Sequence, residues 1–200
     1  MTSSLAAFFM LVSVILAGDD ALAVRDHRTL WLRNVHSGDE VRLRPFRARG
    51  RPAPLAWLRL DRTFRRARAG PTRTINPRLF RVLAQVQRHF GGRRLDLMSG
   101  YRVPGEGQES GSYHHVGRAA DLRIEGVPNR ELFEYCRTLQ AVGCGLYPNG
   151  HHVHIDVRSR PAIWVDLAHR RYVRDPRLWL ELNPAPAPSL PPRESRRRSR

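Results

Sequence analysis

The stretch His152-Val153-His154-Ile155-Asp156-Val157 alternates polar and apolar side chains without a break. Period two is the repeat of a β-strand, so Val153, Ile155 and Val157 turn toward a core while His152, His154 and Asp156 share the opposite face. Residues Ala119–Ile124 read the same way, with Ala119, Asp121 and Arg123 on one side and Ala120, Leu122 and Ile124 on the other. Any fold of this chain must therefore pack apolar elements on one side of these strands. The polar side is left for other work.

The apolar partners are helices. Asn76 as N-cap, Pro77 at the first helical position, Leu79, Leu83, Val86 and Phe90 at three- and four-residue spacing and Gly91 as stop predict one helix. Leu55, Leu58 and Phe64 predict an earlier helix ending near Gly70, and Leu132, Phe133, Cys136 and Leu139 a later one that starts near Asn129 and stops at Gly143. Thr29–Phe46 reads as a β-hairpin about His36-Ser37-Gly38-Asp39, Leu95–Met98 as a strand, and Leu146–Gly150 as a turn. The expected class is α+β, a small antiparallel or mixed sheet with helices packed on one face.

Composition limits the alternatives. A chain of 200 residues that is 41% hydrophobic can bury a core of one domain and is too apolar to be wholly disordered. Its one strongly apolar run, Leu5–Ala17, meets Asp19 and Asp20 before reaching the roughly 20 residues of a membrane span. With Ala21-Leu22-Ala23 behind it, the run reads as a signal peptide cut after Ala23, a short buried helix being the alternative. Residues 24–182 are then the folded domain, and the Pro- and Arg-rich residues 183–200 a disordered tail. Removal of residues 1–23 leaves 35 basic against 16 acidic residues, a net charge of +19, in a protein expected to be periplasmic or secreted. All 35 basic residues are arginine, a compositional bias of the whole chain more than a local binding design. No helix-turn-helix, zinc-finger or RNA-binding signature accompanies the charge, so no nucleic acid is expected; attraction to an anionic envelope surface is. Cys136 and Cys144, the only cysteines, permit a disulfide in an oxidising compartment, with two buried thiols as the alternative. Neither belongs to a C-x-x-C pair, which leaves a thiolate zinc site unsupported.

Nine histidines are present, and His114, His115, His151 and His152 form two adjacent pairs with His154 close behind the second. If the two alternating strands are neighbours, Asp121 and His154 can converge with His114 around one small ion. Two neutral imidazoles and a carboxylate suit Zn²⁺, and three protein ligands leave a fourth position for water.

The order Ser99-Gly100-Tyr101-Arg102, then Ser112-x-His114-x-x-Gly117-x-Ala119-x-Asp121, then Gly145-Leu146-Tyr147-Pro148 and Val153-His154-Ile155-Asp156 resembles the murein endopeptidase K (YcbK-like) branch of the LAS zinc metallopeptidases. The superfamily also contains D-Ala-D-Ala carboxypeptidases, lysostaphin-type enzymes and the hedgehog signalling domain, and the similarity runs from Arg28 to about Leu167. It implies a hedgehog/D-Ala-D-Ala-peptidase-like fold, Zn²⁺ held by His114, Asp121 and His154, and a substrate of peptidoglycan stem peptides and their cross-links. Endopeptidase is preferred on branch similarity; a carboxypeptidase or a non-catalytic zinc-containing cell-wall module are the alternatives. His115 stands one residue out of the H-x-x-G-x-A-x-D frame. The resemblance puts Arg102 against the scissile carbonyl, Tyr101 and Tyr147 among the substrate contacts, and Ser112 where a serine touches substrate or orients the loop. The carboxypeptidase branch has an acidic base three positions before the last zinc histidine, where this chain has His151; the lysostaphin-type branch uses H-x-H, matched by His152 and His154. Strand alternation favours His152 as the base, with His151 second, and an imidazole of ordinary pKa, about 6.5, suits that task at neutral pH. Asp156 is placed to hold an imidazole N–H or to form an ion pair.

Overall fold

The computed structural model describes residues 29–44, 46, 53–67, 70–105, 111–168 and 171–184. The expected leader, residues 1–23, and all but the first two residues of the expected tail lie outside them. Among the described residues there are seven strands and four α-helices, an α+β arrangement as expected. The strands are β1 (Leu30–Asn34), β2 (Glu40–Leu43), β3 (Leu95–Ser99), β4 (Ala119–Ile124), β5 (Val142–Tyr147), β6 (His152–Val157) and β7 (Ala162–Val165). The helices are α1 (Pro54–Thr63), α2 (Pro77–His89), α3 (Asn129–Cys136) and α4 (Pro176–Leu182). One mixed sheet runs in the order β2-β1-β3-β4-β6-β5-β7. Its β1–β3 and β5–β7 pairs are parallel and the rest antiparallel.

The alternating strands lie side by side at the centre. Leu122 faces Val153, Ala120 faces Ile155 and Asp121 faces His154 in register. Because neighbours in register share a face, the apolar set Leu97, Ala120, Leu122, Val153 and Ile155 joins the core with Leu79, Leu83 and Val86 of α2 and Leu132 and Phe133 of α3. Asp121 and His154 are thereby fixed on the other side.

Local chemistry sets α2. The Asn76 side chain accepts the Arg78 amide at 2.9 Å and Pro77 pre-sets the first helical φ. The Arg78 guanidinium donates to the carbonyls of Gln140, Ala141 and Arg158, tying the start of this helix to the beginning of β5 and the end of β6.

The third predicted helix is shorter than its periodicity implies: α3 ends at Cys136, and Gly143 lies inside β5. Leu139 still packs on the core, which extends the helical pattern, but the chain turns back over 137–141 with Ala141 at φ 53°. Leu146 and Tyr147 are the end of β5 and not part of the following turn, since they pair with Val153 and His152. The first helix likewise stops at Thr63, and Phe64 enters the core from its C-cap.

Cys136 and Cys144 form a disulfide between α3 and β5, with Cα atoms 6.0 Å apart. A bridge over a separation of 8 residues removes loop-closure entropy from the unfolded chain equivalent to about 2.5 kcal/mol. Replacing both cysteines by serine is therefore expected to lower the unfolding free energy by about 2.5 kcal/mol in urea titration. An unchanged midpoint and slope would contradict the assigned contribution.

Candidate metal centre

His114 comes from a 3-10 turn, Tyr113–Val116, just before β4. The Ser112 side chain caps this turn by accepting the His114 amide, and Gly117 closes it at φ 65°. That position needs glycine twice over, because the left-handed conformation is strained for other residues and a Cβ would lie 2.6 Å from the Thr74 carbonyl oxygen. The Gly117 carbonyl in turn accepts the Asn76 amide at 2.8 Å, docking the turn on the start of α2. The imidazole is thus delivered over the centre of the sheet, beside Asp121 and His154.

His114, Asp121 and His154 are 2%, 4% and 8% exposed, and their donor atoms form a triangle. His114 Nε2 lies 3.2 Å from His154 Nδ1, His154 Nδ1 lies 2.8 Å from Asp121 Oδ1, and His114 Nε2 lies 3.3 Å from Asp121 Oδ1. Each atom is aimed by a partner behind it. His114 Nδ1 is 2.6 Å from the Gly100 carbonyl oxygen, which can only accept, so the proton of a neutral ring is on Nδ1 and Nε2 carries a lone pair. His154 Nε2 donates to Asp156 Oδ2 at 3.1 Å, which turns Nδ1 inward. Arg102 donates to Asp121 Oδ2, leaving Oδ1 for the triangle, and its Nε donates to Ser99 Oγ at 2.8 Å.

Three such donors facing one another at this range are held together by a positive charge between them, a proton on His154 Nδ1 or a bound cation. A tetrahedral cation about 2.0 Å from its ligands has donors about 3.3 Å apart, close to the separations here, so the residues fit a divalent cation. For Asp121 and His114 the electrostatics favour the forms that bind a cation, whereas at His154 a cation has to displace a proton. Burial works to raise the Asp121 pKa, but His114 and His154 outweigh it and hold the carboxyl well below the usual range. Burial lowers the His114 pKa, keeping its lone pair free. For His154 burial is outweighed by hydrogen bonds to Asp121 and Asp156, which raise its pKa.

Around the triangle stands a layer that the sequence did not disclose. Arg158 donates from Nε to Asp156 Oδ1 at 2.7 Å and from a terminal nitrogen to Oδ2, while its guanidinium lies over Tyr113 at 4.8 Å and Trp164 at 5.4 Å. Trp164 on β7 lies 5.1 Å from His154 between ring centroids. The indole occupies the space over Gly145, where a Cβ would come within 2.4 Å of it.

The other predicted site residues surround this centre at different depths. His115 is outside the triangle; it borders a recess with Pro104, Gly111, Ser112 and Tyr113, and its buried Nε2 has no hydrogen-bond partner among the described residues. His152 begins β6, two residues before His154 on the same face, half-buried with its ring stacked on Tyr147 at 4.5 Å. Its Nδ1 is 2.8 Å from the Gly150 carbonyl oxygen, which assigns the proton of a neutral ring to Nδ1 and leaves Nε2 as an acceptor. His151 is exposed in the preceding turn at φ 53°. Tyr101 is half-buried where the chain leaves β3, its amide donating to the Phe64 carbonyl at 2.7 Å.

The model of a protein family described as peptidoglycan L,D-endopeptidase MepK matches residues 22–161. The peptidoglycan L,D-endopeptidase MepK of Escherichia coli K12 is 34% identical over 139 residues, 64% of this chain and 76% of the relative. The probable peptidoglycan L,D-endopeptidase MepK of Haemophilus influenzae is 29% identical over 140 residues, 64% of this chain and 75% of the relative.

Proposed function

The chain belongs to the peptidoglycan L,D-endopeptidase MepK family, and from that premise we propose that it is an exported zinc peptidase hydrolysing the peptide cross-links of peptidoglycan. The observation that carries the reading is the triangle of His114 Nε2, Asp121 Oδ1 and His154 Nδ1 on the polar side of the sheet. Zn²⁺ held there by these three residues would supply Lewis acidity and a water of lowered pKa at an open fourth position.

The remaining steps belong to the chain. His152 takes the proton of the attacking water on Nε2, which its bond to the Gly150 carbonyl leaves unprotonated, and later returns it to the departing amine. His151, exposed in the turn, is the second candidate. Arg102 orients the Asp121 carboxylate and places positive charge beside the carbonyl being attacked. Ser112 and Tyr101 contact the substrate; Ser112 borders the recess next to the centre, which supports its part. Export through residues 1–23 fits a substrate outside the cytoplasm, and the arginine excess draws the enzyme to an anionic wall in a salt-dependent way. None of the helices among the described residues is long and apolar enough to cross a membrane.

Digestion of isolated sacculi with and without a chelator tests this reading, with products identified by mass. Loss of cross-linked muropeptides that a chelator stops and zinc restores is the expected result. Release of terminal D-alanine with cross-links intact would point to a carboxypeptidase, and a folded, metal-bearing protein that cleaves nothing would be a binding module. For the base, His152→Ala should keep its metal and lose about 10²-fold in turnover, with His151→Ala near wild type. The reverse pattern would transfer the role to His151.

A further inference from the structure

Trp164 and Tyr147 form a pair beside the metal centre that holds no part of the cation. The Trp164 indole occupies the space where a Cβ on residue 145 would stand, with the His154 ring 5.1 Å away between centroids and the Tyr147 hydroxyl at its nitrogen. Its Nε1–H is 3.1 Å from Tyr147 Oη. An indole N–H can only donate, so the phenol oxygen is the acceptor in this contact and its own hydrogen must be used elsewhere. Among the described residues no acceptor is hydrogen-bonded to it.

The position of the phenol follows from the register. Gly145 faces His154 and Tyr147 faces His152, so Tyr147 stands one pleat along from the centre on the same side of the sheet. Stacking on His152 holds one side of its ring and the indole holds its hydroxyl. Burial pushes the Tyr147 pKa up to about 12, so the group remains a donor at neutral pH. Meanwhile two nitrogens of Arg102 are committed to Asp121 and Ser99. The phenol thus stands beside the centre as a neutral donor whose oxygen is already oriented by the indole.

We propose that Tyr147 is a catalytic residue whose hydroxyl donates to the substrate oxygen that gains negative charge during hydrolysis, and that Trp164 is the positioning residue that turns it there. The proposal rests on the peptidase reading above. When the water oxygen bonds to the peptide carbonyl carbon, the C=O π pair moves to the carbonyl oxygen, and that oxygen accepts the Tyr147 hydrogen bond. As the pair returns, the C–N bond breaks and the amine leaves with the proton taken from the water. A donor aimed at the charged form, with its oxygen already oriented, stabilises that form more than the ground-state carbonyl.

The test uses the zinc-loaded full chain, a cross-linked muropeptide, and a phosphinate analogue of the same peptide. Tyr147→Phe keeps the ring on His152 and is expected to lower kcat about 10²-fold at unchanged KM and zinc content. Its affinity for the phosphinate, read by calorimetry, should fall by a similar factor while affinity for the cleaved product holds. Trp164→Phe should lower kcat at constant KM and add little when combined with Tyr147→Phe, because the two act through one hydrogen bond. A Tyr147→Phe protein with wild-type kcat and phosphinate affinity overturns the assignment while leaving the peptidase reading intact. Loss of zinc in Tyr147→Phe, or kcat and product affinity falling together, makes the residue structural and also overturns it. Wild-type protein that holds zinc and cleaves no muropeptide defeats the peptidase reading and this assignment with it.

Discussion

His154→Ala is expected to remove metal binding and hydrolysis together, with activity falling well over about 100-fold, beyond the loss typical of an outer-shell change. Its Nδ1 is one of three donors, and no other described histidine, cysteine or carboxylate belongs to the cluster to take its place. The substitution also leaves Asp156 without its imidazole partner. Elemental analysis of the folded variant checks the outcome beside the muropeptide assay. Full metal content with activity lost would mean that His154 serves the chemistry without holding the cation.

The second large effect lies one layer out. Asp156 fixes the ring of His154 and is itself gripped through both oxygens by Arg158, which is clamped between Tyr113 and Trp164. Asp156→Asn and Arg158→Ala are each expected to weaken metal affinity by about 10- to 100-fold in competition with a chelator. The physical reason is orientation: Asp156 directs Nδ1 to the triangle and makes the imidazole a better electron donor. Because the two side chains act in series, the double substitution should cost little more than the worse single one. Additive losses, or affinities equal to wild type, would sever this chain of support from the metal.

What could be read from the sequence followed from short-range rules. Alternation over 119–124 and 153–157 sets which side chains share a face, and sheet neighbours in register do the rest, so Asp121 and His154 meet. His114 is separated from His115 in the sequence only by the frame of the family resemblance; the structure adds the local turn that carries it, capped by Ser112 and closed by glycine at 117. The outer layer depends on pairings between distant segments. Strand β7 is four residues long with no alternation, and only its parallel pairing with β5 sets Trp164 beside Gly145. Arg158 carries no local mark among 35 arginines; it stands out only through the Asp156 carboxylate and the two rings around it. The overrun of the third helix has the same origin, since Leu139 keeps the helical spacing while the chain has already turned toward β5. Helix α4 went unread as well, although Asp175 caps it at 3.0 Å from the amides of Arg177 and Leu178 and Pro176 follows as its first residue.

Metal stoichiometry of the natively purified protein, measured by elemental analysis before and after exchange against a chelator, tests whether His114, Asp121 and His154 hold a cation. One zinc per chain in the wild type, retained by His152→Ala and absent from His114→Ala, Asp121→Ala and His154→Ala, is the predicted result. A folded wild-type protein that takes up no divalent metal when supplied with it, or a triple His114→Ala, Asp121→Ala, His154→Ala variant that still holds one, would contradict it.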